Sequence, residues 1–556
     1  MRRRSTLAAV AVLATASAVV LTANAVPASA AGPSVTGRTA KSDPGDDHGR
    51  ILGRFSHLVV IYQENHSFDN LYGNWGRVGG QQVDGTARAD AAHTVQVDQN
   101  GKPYGCLLQK DVNLTSSPPA ASCTDSAHGI TSAFTNAPFS IDTYLPAAAR
   151  TCPAPGVSAP NGVLAGSAGA LPGGCTRDLV HRFYQEQYQL DGGRQDRYTT
   201  GSDAAGLTQG VYDTRQLPVW KYLHSKGSPN YVVADRFFQA AFGGSFLNHQ
   251  YLIAAQAPVD TAASLPAGDP NSHAANHSVV DANGFPNGSY PLYRATSAVN
   301  DAQLTQACGP AANPAVACGD YAVNTVQPAS QPRGGGLVLP LVQNETTIGD
   351  ELSAKGISWA WYSGGWNAVN SGGLSAAPLF QFHHQPFNYF ANYAPGQPGR
   401  AHLQDETDFL KAVEQGTLPT VSFVKPYGAD NEHPGYASET DGSAHLVDLL
   451  KAIDSGPDAE DTLVVATYDE FGGQWDHVSP PGPKSPTTGA YDAFGPGTRI
   501  PALMVSRAFD RSGVDHTVYD TTSILATIEH SLGLKPLSTR DARVADLRAV
   551  LRVADH

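Results

Sequence analysis

Three stretches of the chain bring donor side chains together at spacings that suit metal binding or nucleophilic catalysis. In residues 57–70, HLVVIYQENHSFDN, a hydrophobic run delivers the Glu64 carboxylate and the Asn65 amide side by side, two hard oxygen donors for a divalent ion. The same pair is equally consistent with capping the helix or turn that follows. In residues 467–478, TYDEFGGQWDHV, Asp469 and Glu470 are adjacent carboxylates that repel unless a cation lies between them, and the two glycines allow backbone to approach closely. A solvated acidic turn is the plain alternative. In residues 242–249, FGGSFLNH, Ser245 follows two glycines at a tight turn, where its hydroxyl can act as a nucleophile or cap a helix. Four histidine positions sit beside carboxylates or aromatics: His181 after Asp178, the pair His383-His384, His433 after Glu432, and His477 after Asp476.

Buried strands are expected to place these groups. The apolar runs Leu58–Tyr62, Tyr231–Ala234, Val421–Val424 and Leu463–Thr467 each end in polar or charged residues, as strands covered on both faces do. Helical periodicity falls at Thr407–Val413, Ser443–Ile453, Thr521–Leu532 and Thr539–Val553. The alternation implies an α/β class with a mostly parallel sheet and ligands at the carboxyl ends of its strands. The tryptophans of Trp359-Ala360-Trp361-Tyr362 and Trp366 fit either an alternating core strand or a pocket wall that contacts a headgroup.

The 556 residues are 41% apolar and 15% charged, enough for a large core, with 56 Gly and 39 Pro pointing to long loops. A net charge of −14 argues against gripping a nucleic-acid backbone, so no nucleic-acid partner is expected. Arg2-Arg3-Arg4, an Ala-rich apolar run and Ala28-Ser29-Ala30 read as a signal peptide over 1–30, used by the Sec or twin-arginine route. A flexible segment over 31–50 then precedes a single domain over 51–556, with insertions at about 86–176 and 258–336 and no integral membrane span. Export makes disulfides the default, and spacing suggests that neighbours pair: Cys106–Cys123, Cys152–Cys175 and Cys308–Cys318. No C-x-x-C pair supports a zinc site.

Taken together, the motifs ENHSFDN (64–70), DLVH (178–181), DGGRQDRY (191–198), GGSFLN (243–248), HHQPFNYF (383–390), EHP (432–434) and YDEFGGQWDHV (468–478) resemble the secreted bacterial phosphoesterase family of the alkaline phosphatase superfamily. That family includes phospholipases C and acid phosphatases. The resemblance implies an alkaline-phosphatase-like three-layer α/β/α sandwich. It implies a metal held by Glu64, Asn65, Asp469, Glu470 and the hydroxyl of Ser245, with Ser245 as nucleophile and a phosphoserine as intermediate. His181, His384 and His433 would surround the phosphoryl oxygens. Asn248, His383 and His477 would support substrate or ligands, His477 by orienting Asp469 or Glu470.

The oxygen-rich donor set favours Mg, Ca, Mn or Fe. A serine in the nucleophile turn and the absence of carboxy-terminal β-rich repeats lean toward the acid-phosphatase branch, with a phosphomonoester as substrate. Phospholipase C action on phosphatidylcholine-type lipids is the alternative, and a non-catalytic secreted binding protein a third reading. A Ser-His-Asp triad would leave the carboxylate pairs unexplained, and position 247 is Leu where the G-x-S-x-G elbow has Gly.

Overall fold

Runs of Val, Ile, Leu and aromatic residues form an eight-stranded central sheet in the computed structural model, which describes residues 49–108, 120–143, 145, 147–149, 178–203, 205–285 and 301–555. The chain divides into Met1–Asp46 and Asp47–His556, and the fold is that of the second unit. The leader expected over 1–30 and the expected Cys152–Cys175 pair lie outside the described residues. In chain order the strands are β1 (His57–Gln63), β2 (Asn230–Ala234), β3 (Trp359–Ser363), β4 (Leu403–Asp405), β5 (Val421–Lys425), β6 (Thr462–Tyr468), β7 (Ala502–Ser506) and β8 (Gly513–Asp515). They lie in the order β4-β3-β5-β1-β6-β7-β2-β8. Only β7 runs against its neighbours.

Every residue of β3, β5, β6 and β7 is buried, so the sheet is covered on both faces, as an α/β sandwich requires. Two groups of helices supply the cover. Pro218–Leu223, Glu406–Gln415 and Glu439–Ser455 pack together, as do Ser245–Ala254, Ile348–Ala354 and Thr522–Leu532. Their ends follow local chemistry. Asp405 accepts from the Thr407 N–H at the start of Glu406–Gln415, and Gly416 at φ +64° ends it in a left-handed turn.

The four strands anticipated from apolar runs all form; β7, an apolar run of the same kind, and the three-residue β4 and β8 were not anticipated. The helix expected over Thr539–Val553 begins only at Arg548. Upstream of it, Asp541 accepts from the Leu537 and Ser538 N–H groups at 2.8 and 2.9 Å, and buried Arg540 reaches Asp520 at 3.0 Å. Those side-chain bonds hold a turn where periodicity pointed to helix. Trp359, Trp361 and Trp366 are core residues, with the Trp361 Nε1–H donating to the His384 carbonyl at 2.8 Å, so they are not a headgroup surface.

None of the strands described between residues 86 and 143, or between 258 and 336, joins the central sheet. Cys106–Cys123 and Cys308–Cys318 are bonded and close spans of 17 and 10 residues in these stretches. Each closure removes denatured-state entropy worth about 3 kcal/mol.

Candidate active site

Parallel register brings the two carboxylate pairs together. Gln63 of β1 lies opposite Tyr468 of β6, so Glu64-Asn65 and Asp469-Glu470 leave adjacent strands at one level. On the other side of β1, Ile61 lies opposite Val424 of β5, which sets Lys425 at the same rim. Asn65 is left-handed at φ +58° and turns its N–H to Asp469 Oδ1 at 3.1 Å, an oxygen that also accepts from the Glu470 N–H at 2.8 Å. These contacts, rather than helix capping, occupy the Asn65 backbone; Ser67 caps the short helix Phe68–Leu71.

Ser245 is the first residue of its helix and Gly244 is the cap. A side chain at Gly243 would place Cβ 2.8 Å from the Phe183 backbone nitrogen, and one at Gly244 would sit 3.0 Å from the His181 ring, so the turn needs both glycines. Glu186 accepts from the Gly243 N–H at 2.6 Å. Asn248 braces the same turn, accepting from the Ala241 N–H at 2.9 Å and donating to the Ala241 and Gly244 carbonyls at 3.0 and 3.3 Å. It therefore supports the loop and does not face the carboxylates.

The Ser245 hydroxyl donates to Glu470 Oε1 at 2.9 Å and lies 3.4 Å from Glu64 Oε2. One atom of the Asn65 amide is 2.8 Å from Glu64 Oε2 and 2.7 Å from Glu470 Oε1. As a nitrogen it donates to both; as an oxygen it faces two carboxylate oxygens, an arrangement that only a shared cation stabilises. Glu64, Asp469 and Glu470 each direct an oxygen within 4.8 Å of the others, and all three are buried. Among the described residues Asp469 Oδ2 has no hydrogen-bond partner; the His249 Nδ1 lies 3.8 Å away and the Lys425 ammonium 4.0 Å away. Burial and the Glu64 charge push the Asp469 carboxyl well above its ordinary range. Glu64, Asn65, Asp469, Glu470 and Ser245 thus fit a divalent ion by donor type and by unmet charge.

One lysine and several histidines ring these carboxylates. Lys425 Nζ and His384 Nε2 lie 2.5 and 2.7 Å from Glu64 Oε1. Burial alone would raise Glu64, but Lys425 and His384 hold it well below the usual carboxylate range. Burial, reinforced by the Lys425 charge, drops His384 to about 4 although Glu64 opposes the shift. His181 Nε2 is 3.2 Å from Glu470 Oε1; against burial, Glu470 and Asp178 hold His181 well above its ordinary value. His433 Nε2 is 4.0 Å from Glu64 Oε2 and 3.3 Å from the Asn65 amide. His383 is buried with its ring 4.8 Å from that of His384 and its Nδ1 unpartnered.

The fold also redirects His477. Its Nδ1 lies 2.5 Å from Asp69 Oδ2 and its Nε2 3.4 Å from Asp84, not against Asp469 or Glu470. Buried Arg499 bridges Asp69 and Asp476 at 3.0 Å each, so this cluster already has its counter-ion and ties the 64–70 loop to the 468–478 loop. Sequence reasoning passed over two residues of the site. Lys425 carried a signal, a charge ending a buried strand. His249 stands one helical turn after Ser245, with Nδ1 2.7 Å from the Ser245 carbonyl.

A family model described as Phosphoesterase family matches residues 55–535. The chain is 32% identical over 239 residues to a non-hemolytic phospholipase C of Burkholderia pseudomallei (strain K96243), covering 35% of this chain and 33% of that protein. It is 30% identical over 260 residues to phospholipase C A of Mycobacterium tuberculosis (strain ATCC 25618 / H37Rv), covering 41% of this chain and 48% of that one. The matched segments thus span between a third and a half of these relatives. A solved structure of a protein in the alkaline phosphatase superfamily from Vibrio parahaemolyticus aligns with 36% of this chain and 51% of its own, at 14% identity and TM-score 0.21.

Proposed function

Because this chain belongs to the phosphoesterase family, we propose that it is a metal-dependent phosphoester hydrolase with Ser245 as nucleophile and a phosphoserine as intermediate. The observation that carries this reading is the Ser245 hydroxyl lying 2.9 Å from Glu470 and 3.4 Å from Glu64, inside a buried carboxylate cluster short of positive charge. A divalent ion (Mg, Ca, Mn or Fe) held by Glu64, Asn65, Asp469, Glu470 and Ser245 would supply the charge that lowers the hydroxyl pKa and neutralises phosphoryl oxygens. Ser245 Oγ forms the new bond to phosphorus in line with the leaving oxygen, and its proton departs toward Glu470 Oε1, the acceptor it already faces. His181 protonates the leaving oxygen as the old P–O bond breaks, and His433 and His384 add polar contacts at the site. Water then attacks phosphorus and gives a proton to the now neutral His181, the Ser245–phosphorus bond breaks, Ser245 takes back the proton held by Glu470, and inorganic phosphate leaves.

Hydrolysis of an aryl phosphate by the mature protein, its loss on EDTA treatment and recovery of phosphoserine at position 245 by mass spectrometry test this reading. Full activity in both Ser245→Ala and Asp469→Ala would refute it. Two substrate classes share the chemistry. The motif departures favour a phosphomonoester, whereas relatives named phospholipase C favour a phospholipid such as phosphatidylcholine. Preferential release of diacylglycerol and phosphocholine from phosphatidylcholine micelles selects the second. An intact metal site that turns over no phosphoester would instead make the chain a binding protein.

We further propose export through the leader at 1–30. The two disulfides accord with it, and among the described residues no helix is long and apolar enough to cross a membrane. The catalytic domain is proposed to span 51–556, with insertions at about 86–176 and 258–336.

A further inference from the structure

We propose that Lys425 is the built-in second cation of this site, so that its buried carboxylates close their charge with one divalent ion and no more. The inference rests on the metal-dependent reading above and deepens it.

Lys425 is fully buried, a costly position for an ammonium unless it is paired. Its Nζ lies 2.5 Å from Glu64 Oε1, 3.2 Å from the Gln63 carbonyl and 4.0 Å from Asp469 Oδ2, with the Tyr62 ring centroid 5.1 Å away. All of these neighbours belong to strand ends of the site, so Lys425 acts through Glu64 and is a positioning residue. Glu64, Asp469 and Glu470 carry three formal negative charges, and Asp178, 3.5 Å from His181, adds a fourth beside the imidazolium of His181, which lies 3.2 Å from Glu470. The Lys425 ammonium, the His181 imidazolium and one divalent ion cancel these four, whereas a second divalent ion would leave a buried surplus of positive charge.

A second ion has one plausible seat among these residues, the donors of Glu64, His249 and His384, which lie within 4.8 Å of one another. His249 Nε2 is buried there without a partner. But Glu64 Oε1, the oxygen such an ion would share, already has Lys425 at 2.5 Å and His384 at 2.7 Å. The ammonium occupies the charge position of that ion and repels it.

The test is Mn²⁺ stoichiometry by elemental analysis and affinity by titration calorimetry on the full mature protein, with Ca²⁺ and Mg²⁺ run in parallel. Wild type is expected to hold one ion per chain. Lys425→Met, of similar length without charge, is expected to bind Mn²⁺ at least tenfold more tightly or to take up a second equivalent; Lys425→Arg is expected to keep one ion at near wild-type affinity. Two ions in wild type would overturn the inference alone, whether or not either variant folds. So would a folded Lys425→Met that keeps wild-type stoichiometry and affinity, since a merely structural lysine would shift only the melting temperature. Uptake of none of the three ions by wild type would overturn both this inference and the metal-dependent reading.

Discussion

Gly472→Ala probes how tightly the carboxylate loops brace Asn65. Gly472 sits at φ +59°, and an ideal Cβ there would lie 2.4 Å from the Asn65 carbonyl oxygen and 2.8 Å from its Cβ. Real Cβ atoms essentially never approach below 3.0 Å, so the Asn65 backbone must give way by about 0.6 Å. The left-handed conformation adds roughly 1–2 kcal/mol for a residue with a side chain. A shift of that size in a metal ligand beside the nucleophile should lower kcat by roughly 10- to 100-fold, since about 1 Å of misplacement costs around 10²-fold. Affinity for Mn²⁺ should fall with it. The control is Gly76→Ala at φ +96°, where the added Cβ meets nothing within 4 Å and only backbone strain is imposed. Steady-state hydrolysis of an aryl phosphate with metal titration on both variants decides the matter. A folded Gly472→Ala that keeps wild-type kcat and metal affinity would sink the claim that the 468–478 loop positions Asn65.

Ser245→Ala should retain the fold, hold the metal through the four remaining donors with weakened affinity, and lose at least about 10³-fold in kcat, as removal of a nucleophile does, with no phosphorylated peptide recovered. Arg499→Met leaves Asp69 and Asp476 without their buried partner, and urea denaturation should show a loss of about 3–5 kcal/mol; a loss under 1 kcal/mol would show that the cluster is not charge-paired as described. His477 has its pKa raised to about 9, with Asp69 outweighing the effect of burial. A raised histidine stabilises fully below its unfolded value near 6.5 and loses that contribution as pH climbs through about 9. The urea midpoint should therefore decline over that window by an equivalent of about 3 kcal/mol, and His477→Gln should flatten it.

The strand segments were readable because residues buried on both faces must be apolar throughout, which leaves unbroken runs such as LVVIY and LVVAT. Strand ends were readable for the same reason, since the first polar residues mark where the sheet rim begins. β4 and β8 were missed because three residues carry little periodicity, whereas β7, the apolar run ALMV of the same kind, was readable and passed over. The helix at 539–547 was over-read because the pattern counts apolar positions and cannot see that Arg540 and Asp541 bind distant side chains and nearby backbone instead.

The donor types of the candidate site are local properties, and the chain order alone supplies them: a carboxylate and amide ending one apolar run, two carboxylates ending another, a serine after two glycines. Which of these meet is a matter of strand order and register. Placing β1 between β5 and β6 sets Glu64 against Asp469 on one side and Lys425 on the other, although hundreds of residues separate them. The same packing turned His477 toward Asp69 and Asp84, because a buried imidazole settles where both ring nitrogens face carboxylates. Long-range charge pairing has no periodic signature, so it becomes visible only once the sheet is assembled.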